Sequence, residues 1–176
     1  ENFLQLPALA AIPTIDSLPK RKLLLVGANE DAEALAKSEL LIHTDSRSSL
    51  AEAYRQLRTS ILLSTAGHAP KSLLITSSLP SEGKTTTAIN TAITLAQSGA
   101  DVVIIDCDLR RPRLHNHFDL DNTAGLTNYL SGEKNTDLLM KSCAGLPKLK
   151  IVTSGPIPPN PAELLSSNEM KNLLQF

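Results

Sequence analysis

Ser77-Ser78-Leu79-Pro80-Ser81-Glu82-Gly83-Lys84-Thr85-Thr86 combines a glycine, an ammonium group and a run of hydroxyls in the order that suits a polyphosphate. Backbone N–H groups around the glycine and the positive end of a following helix can meet phosphate oxygens. The Lys84 ammonium reaches the terminal phosphates, and the Thr85 hydroxyl can ligate Mg²⁺. The candidate nucleotide-binding residues are therefore Pro80, Ser81, Glu82, Gly83, Lys84, Thr85 and Thr86, with a nucleoside triphosphate and Mg²⁺ as the ligands. The pattern departs from Gly-x-x-x-x-Gly-Lys-Ser/Thr at its first glycine, where Ser78 stands, and Pro80 stiffens a loop that normally uses glycine freedom. A second group lies at Asp106 and Asp108. They follow the apolar run Val102-Val103-Ile104-Ile105, which places them at the carboxyl end of a strand, where open α/β sheets bind ligands. Phosphoryl transfer needs charge neutralisation and alignment, so Lys84, Asp106 and Asp108 are the candidate catalytic residues and Thr85 and Asp106 the candidate metal ligands. The plainer alternative for Asp108 is a turn or cap residue. Asp106, directly after four aliphatic residues, needs a partner of some kind.

The elements that must position these groups are legible in the periodicity. An apolar stretch over Lys71–Thr76 predicts the strand that feeds the loop. Lys84–Gln97 predicts a helix with Ile89, Ile93 and Ala96 on one face, closed by Gly99. The β-branched run 102–105 predicts a parallel strand covered on both faces. Before them, Leu50, Tyr54, Leu57 and Ile61 recur at helical spacing, and Ser49 with Glu52 predicts a capping box. After them come a short helix over Thr123–Leu130 closed near Gly132, a strand over Leu149–Thr153, and a helix over Pro161–Leu165. That last helix has Asn160 as cap, Pro161 first and Glu163 third; Ser166 and Glu169 repeat the device. The fold class this implies is α/β, a P-loop NTPase-like doubly wound, mostly parallel sheet with helices on both faces.

A chain of 176 residues with 41% hydrophobic content is sized for one such domain, read as residues 49–176, plus an arm over 1–48 that holds one short strand at Leu23–Val26. Seventeen basic against eighteen acidic residues, a formal charge of -1, argue against nucleic acid as a partner. Cys107 and Cys143 have no metal or redox spacing. His115 and His117 lack the further ligands that would complete a metal site. The apolar start, Phe3 to Ile15, is interrupted by Pro7 and Pro13 and falls short of the roughly 18 residues of a membrane span.

With these residues in hand, a family resemblance becomes specific. Asp106-Cys107-Asp108-Leu109-Arg110-Arg111-Pro112 resembles the second nucleotide motif, Walker A′, of the bacterial tyrosine kinases that regulate capsule and exopolysaccharide export. The loop ending Glu82-Gly83-Lys84-Thr85 is similar to theirs, Ser78 included. Glu52-Ala53-Tyr54-Arg55-Gln56-Leu57-Arg58 resembles the family's E-x-x-R-x-x-R oligomerisation motif. Gly125–Gly132, Gly155–Pro161 and Leu6–Pro13 are also similar to family segments, so the resemblance covers nearly the whole chain. It implies an ATP- and Mg²⁺-dependent kinase at the cytoplasmic face of the inner membrane. That kinase would phosphorylate tyrosines of a neighbouring copy within a homo-oligomeric ring, beside a transmembrane polysaccharide co-polymerase or activator region, fused or separate. It also implies that Glu52, Arg55 and Arg58 make the ring contact; their pattern alone fits a solvated helix face equally well. A strand ending in the Walker B aspartate and a tyrosine-rich tail are expected beyond Phe176, and the chain as it stands is expected to be a weak kinase or none. Two other readings are a non-catalytic, nucleotide-gated ring-assembly module and a partitioning or septum-site ATPase. Leu79, where those ATPases usually carry a lysine, argues against the latter.

Overall fold

The computed structural model describes residues 7–13, 48–64, 69–133, 135 and 139–175. The strand expected at Leu23–Val26 and most of the 1–48 arm lie outside them. Residues 7–13 run without helix or strand. The chain divides into two compact units, Glu1–Ser98 and Gly99–Phe176.

In the first unit, α1 (Ser49–Leu63) packs on α2 (Lys84–Gln97). The expected stripe is real: Leu50, Tyr54 and Ile61 are buried, joined by Ala51 and Ala53, while Leu57 is half-buried. On α2, Ile89, Ala92, Ile93 and Ala96 are buried in turn, and burying each large aliphatic side chain contributes roughly 1.5–3 kcal/mol. Tyr54 is only 2% exposed. The N-cap of α1 is Ser48, not Ser49: the Ala51 N–H donates to the Ser48 hydroxyl at 3.1 Å and the Glu52 N–H to the Ser48 carbonyl at 3.1 Å. That register puts Ala51 at the third helical position, so no capping box forms and the Glu52 carboxylate is left for another partner. At the far end, Ser98 caps α2 and Gly99 follows at φ 99°, as expected from the glycine.

The strand expected at Lys71–Thr76 is not formed. Among the described residues the segment belongs to no ladder, and Leu73 and Leu74 are 49% and 85% exposed. An apolar run becomes a strand only when a neighbour accepts and donates along its length, and none of the described strands does so.

The second unit holds a mixed three-stranded sheet: β1 (Val102–Ile105), β2 (Lys141–Cys143) and β3 (Leu146–Val152), in the order β1-β3-β2. β1 and β3 are parallel, with Val102 opposite Leu149 and Ile105 opposite Val152; β2 and β3 form an antiparallel hairpin with a register irregularity at Ser142/Cys143. β3 starts earlier than sequence periodicity predicts, and β2 is an element the periodicity does not reveal. β1 is not covered on both faces, since Val103 is 46% exposed while Ile104 is buried. Among the described residues the unit also holds the short helices α3 (Leu114–His117) and α4 (Leu126–Leu130) between β1 and β2, and α5 (Pro161–Leu165) and α6 (Asn168–Leu173) after β3. Leu109, Leu126, Tyr129, Leu130, Leu139, Val152 and Met170 form one hydrophobic cluster, with Leu164 and Leu165 of α5 packed against it and Tyr129 only 8% exposed.

α4 starts at Leu126 rather than Thr123, because Thr123 is held in a turn by Asp121, whose Oδ1 accepts its N–H at 3.1 Å. Gly125, the residue before α4, lies flat on the end of β3. A Cβ there would come within 2.2 Å of the Thr153 carbonyl oxygen and 2.4 Å of the Gly155 nitrogen, so only glycine fits. The Leu126 and Thr127 N–H groups then donate to the Thr153 and Ser154 carbonyls at 2.8 Å each, which stitches the helix start to the strand end. α5 begins where expected, although Asn160 makes no side-chain cap; its amide donates instead to Glu163 Oε2 at 2.8 Å. The cap of α6 is Ser167, accepting from the Met170 N–H at 3.2 Å, one residue beyond the expected Ser166.

Candidate functional site

The phosphate-loop residues Pro80–Thr86 lie in the first unit. Gly83 sits at φ 81°, ψ 18° as the residue before α2, and the first bond of the helix runs from the Thr87 N–H to the Gly83 carbonyl at 2.8 Å. The N–H groups of Lys84, Thr85 and Thr86 belong to the first turn of the helix, ahead of that bond. A left-handed residue followed by helical ones turns successive N–H groups to one side, which is the geometry of an anion-binding nest. A Cβ built on Gly83 would meet nothing within 4 Å, so the glycine is needed there for its positive φ and not for space. Ser81 also takes a positive φ, 64°. Pro80 to Gly83 are exposed, whereas Lys84, Thr85 and Thr86 are half-buried on the first turn of α2. These residues fit a nucleotide phosphate, with Lys84 supplying charge and Thr85 a hydroxyl for a hard cation.

One contact in the loop is invisible to motif reading. The Glu82 carboxylate folds back across it: Oε2 accepts the Leu79 N–H at 2.9 Å and the Ser78 hydroxyl at 3.1 Å. The Leu79 N–H foremost, then the Ser78 hydroxyl, hold the Glu82 carboxyl below the usual carboxylate range. The Ser77 hydroxyl donates to the Leu79 carbonyl at 3.1 Å.

Asp106 and Asp108 lie in the second unit, past the end of β1. The Asp106 N–H extends the ladder by donating to Val152 O at 2.9 Å, and the residue is 9% exposed. Oδ1 accepts the Asp108 N–H at 3.1 Å; Oδ2 accepts the N–H groups of Arg113 at 3.2 Å and Leu114 at 3.0 Å. The partner Asp106 needs is thus, first of all, the backbone of its own loop. Burial pushes its pKa up, and the three N–H donors oppose that shift. An ionised carboxylate has about four acceptor sites, so capacity for a cation remains beside the three N–H bonds. Asp108 is half-buried, and its Oδ1 accepts the Arg111 N–H at 3.1 Å, the turn geometry weighed for it above. Between them the two carboxylates fix a loop that leaves Arg110, Arg111 and Arg113 exposed.

Of the candidate ring-contact residues, Glu52 and Arg55 pair with each other at 2.6 Å, and Arg58 donates to the Thr94 carbonyl in the last turn of α2 at 3.2 Å. Arg58 therefore ties α1 to the negative end of α2. The three side chains line an open surface groove of about 410 Å³ with Gln56, Thr59 and Ser60.

Comparison with known proteins bears on the fold and the family. The CobQ/CobB/MinD/ParA nucleotide binding domain family matches residues 73–150. The chain is 46% identical over 130 residues to the tyrosine-protein kinase YwqD of Bacillus subtilis, covering 74% of the chain and 54% of that protein. It is 38% identical over 136 residues to the putative tyrosine-protein kinase CapB of Staphylococcus aureus, covering 77% and 59%. The chain thus spans somewhat over half the length of these two relatives. Among solved structures, the chimerical protein CapA2B2 superposes with a TM-score of 0.79 at 33% identity, covering 97% of this chain and 65% of that one. The kinase domain of Escherichia coli tyrosine kinase ETK gives 0.70 at 36%, covering 77% and 52%. Likeness along most of the chain and the fold agree: the protein carries a P-loop, α/β nucleotide-binding fold and is similar in sequence and structure to bacterial tyrosine-protein kinases.

Proposed function

We propose that the chain is the nucleotide-handling part of an ATP-dependent protein-tyrosine kinase of the capsule and exopolysaccharide type, acting at the cytoplasmic face of a bacterial inner membrane. The observation that carries this is the Gly83 nest leading into Lys84 and Thr85 at the head of α2, in a chain akin to tyrosine kinases over most of its length. ATP would supply the phosphoryl group, and Mg²⁺ the charge that offsets it in transfer. Lys84 and the N–H groups around Gly83 bind phosphate oxygens. Thr85 and Asp106 hold the cation, and Asp108 orients the acceptor hydroxyl or takes its proton. Asp106 has a second duty, since the loop that carries Asp108 hangs from its carboxylate.

The acceptor tyrosine lies elsewhere than at Tyr54 or Tyr129. These are the chain's only tyrosines, and they are 2% and 8% exposed, each sealed in a core. A phosphoryl group cannot reach either without unfolding its unit, which supports transfer to a tyrosine of another segment or another copy. Assembly into a ring through Glu52, Arg55 and Arg58, and association with a transmembrane co-polymerase region, belong to the same proposal.

The test is incubation of the full-length protein with γ-labelled ATP and Mg²⁺, read by phosphotyrosine antibody, beside binding of a fluorescent ATP analogue. Label on tyrosine that disappears with Lys84→Met, together with loss of analogue binding, is the expected result. Undiminished labelling in Lys84→Met would overturn the role given to Lys84. Analogue binding and ring formation without any transfer would favour a nucleotide-gated assembly module.

A further inference from the structure

We infer that Glu82 is a positioning residue for the phosphate loop, closing a clasp with Ser78 and Leu79 that replaces the missing first glycine. This rests on the nucleotide-binding reading above. In the usual pattern a glycine at the loop's entry lets the backbone turn back toward the Gly-Lys step. Here the entry residue is Ser78, followed by Leu79 and the stiff Pro80. Something other than backbone freedom must close the turn.

Glu82 is placed to do it. Its Oε2 takes both the Leu79 N–H at 2.9 Å and the Ser78 hydroxyl at 3.1 Å, and Oε1 stands 3.4 Å from the same hydroxyl. The entry of the loop is thereby tied to the residue immediately before Gly83. Between the two ends the chain passes through Ser81 at φ 64°, a conformation a non-glycine residue holds only when its surroundings determine it. The departure at Ser78 and the glutamate at 82 are then one device. A glycine at 78 would remove the hydroxyl that the carboxylate grips, and an alanine at 82 would remove the grip.

The carboxylate also adds a negative charge to a loop meant for phosphates. Its two acceptor contacts fall on Ser78 and Leu79, at the loop's entry, and it donates nothing to the nest. A glutamine keeps an acceptor for the Leu79 N–H and the Ser78 hydroxyl while removing the charge. The geometry therefore separates two effects that a simple deletion would mix.

The experiment is a binding series with the fluorescent ATP analogue and Mg²⁺ on the full-length protein: wild type, Glu82→Ala, Glu82→Gln, Ser78→Ala, and the double Ser78→Ala/Glu82→Ala, with melting temperatures recorded for each. Glu82→Ala is expected to weaken binding about five- to tenfold, and Glu82→Gln to bind as wild type or more tightly. The double variant should bind no worse than Glu82→Ala alone, because Ser78 acts through the carboxylate. Melting temperatures should stay together, since the contacts are on an exposed loop. Glu82→Ala binding as wild type, Glu82→Gln failing to rescue, or additive losses in the double variant would each overturn the clasp. Absence of binding by the wild type, with Lys84→Met no different, would instead overturn the nucleotide-binding reading on which the clasp depends.

Discussion

Removing the Asp106 carboxylate should unfasten the loop behind β1, and the cost can be worked from its bonds. Three backbone N–H groups, those of Asp108, Arg113 and Leu114, end on this one side chain at 3.0 to 3.2 Å. Hydrogen bonds to a charged group contribute roughly 1.5–3 kcal/mol each, and a buried donor left unmet costs about 1–3. Against this, deleting the charge relieves the desolvation that raises the Asp106 pKa. The net expectation for Asp106→Ala is a loss of about 3 kcal/mol. Asp106→Asn should behave differently. Its carbonyl can still face Arg113 and Leu114 while its NH₂ opposes the Asp108 N–H, so one bond of three is lost, at about 1 kcal/mol. The chain has no tryptophan, so urea unfolding is best followed by far-ultraviolet circular dichroism, with amide exchange at the three donors as a local readout. The pH dependence has a definite sign. Because the folded pKa lies above the ordinary 3.8, Asp106 contributes most below 3.8 and progressively less as pH rises through its folded value. The stability gap between wild type and Asp106→Asn should therefore widen as pH is lowered from neutrality into that window. Equal stability for all three proteins, or Asp106→Asn as damaged as Asp106→Ala, would refute the assignment and leave Asp106 with a metal-binding role alone.

Two further outcomes follow from the helix starts. Ser48→Ala should cost about 1 kcal/mol in unfolding free energy and Ser49→Ala less than about 0.5, because only Ser48 caps α1; the reverse order would place the cap at Ser49. Gly125→Ala should destabilise by about 3 kcal/mol or more, since its methyl would meet backbone atoms of Thr153 and Gly155 that cannot rotate away. A Gly125→Ala protein melting at the wild-type temperature would refute that contact.

The helix after the phosphate loop and strand β1 are readable from sequence because local chemistry determines them. Gly83 takes the left-handed turn and Lys84 opens an amphipathic run, while four β-branched residues have little choice but to extend. The helix caps are harder. Both α1 and α6 begin at Ser-Ser pairs, in which either hydroxyl satisfies the pattern, and the choice falls to i to i−4 bonding. The Glu52 N–H reaches Ser48, and the Ser166 N–H already donates to Ala162, which keeps Ser166 in the preceding helix. Lys71–Thr76 reads as a strand because its side chains suit one, but a ladder is a property of two segments. β2 is the converse: Lys141-Ser142-Cys143 has no apolar alternation and exists because β3 pairs with it. At the site, sequence shows that Asp106 needs a partner and suggests a cation, since the return of its own loop to within hydrogen-bonding distance depends on a turn seven residues long. The contacts of Glu82 with Leu79 and Ser78 are hidden from the sequence for a similar reason, because they depend on how the loop turns.

The open leucines of segment 71–76 bear on how the phosphate loop would be handled in solution. Leu74, at 85% exposure, sits on a stretch of backbone that pairs with none of the described strands, immediately ahead of the nest. Such a stretch is a template for whatever strand arrives first, including the same stretch in another molecule. Guarding this segment during purification, by low concentration or by a charged substitution at Leu74, would keep a nucleotide titration from becoming a measurement of self-association.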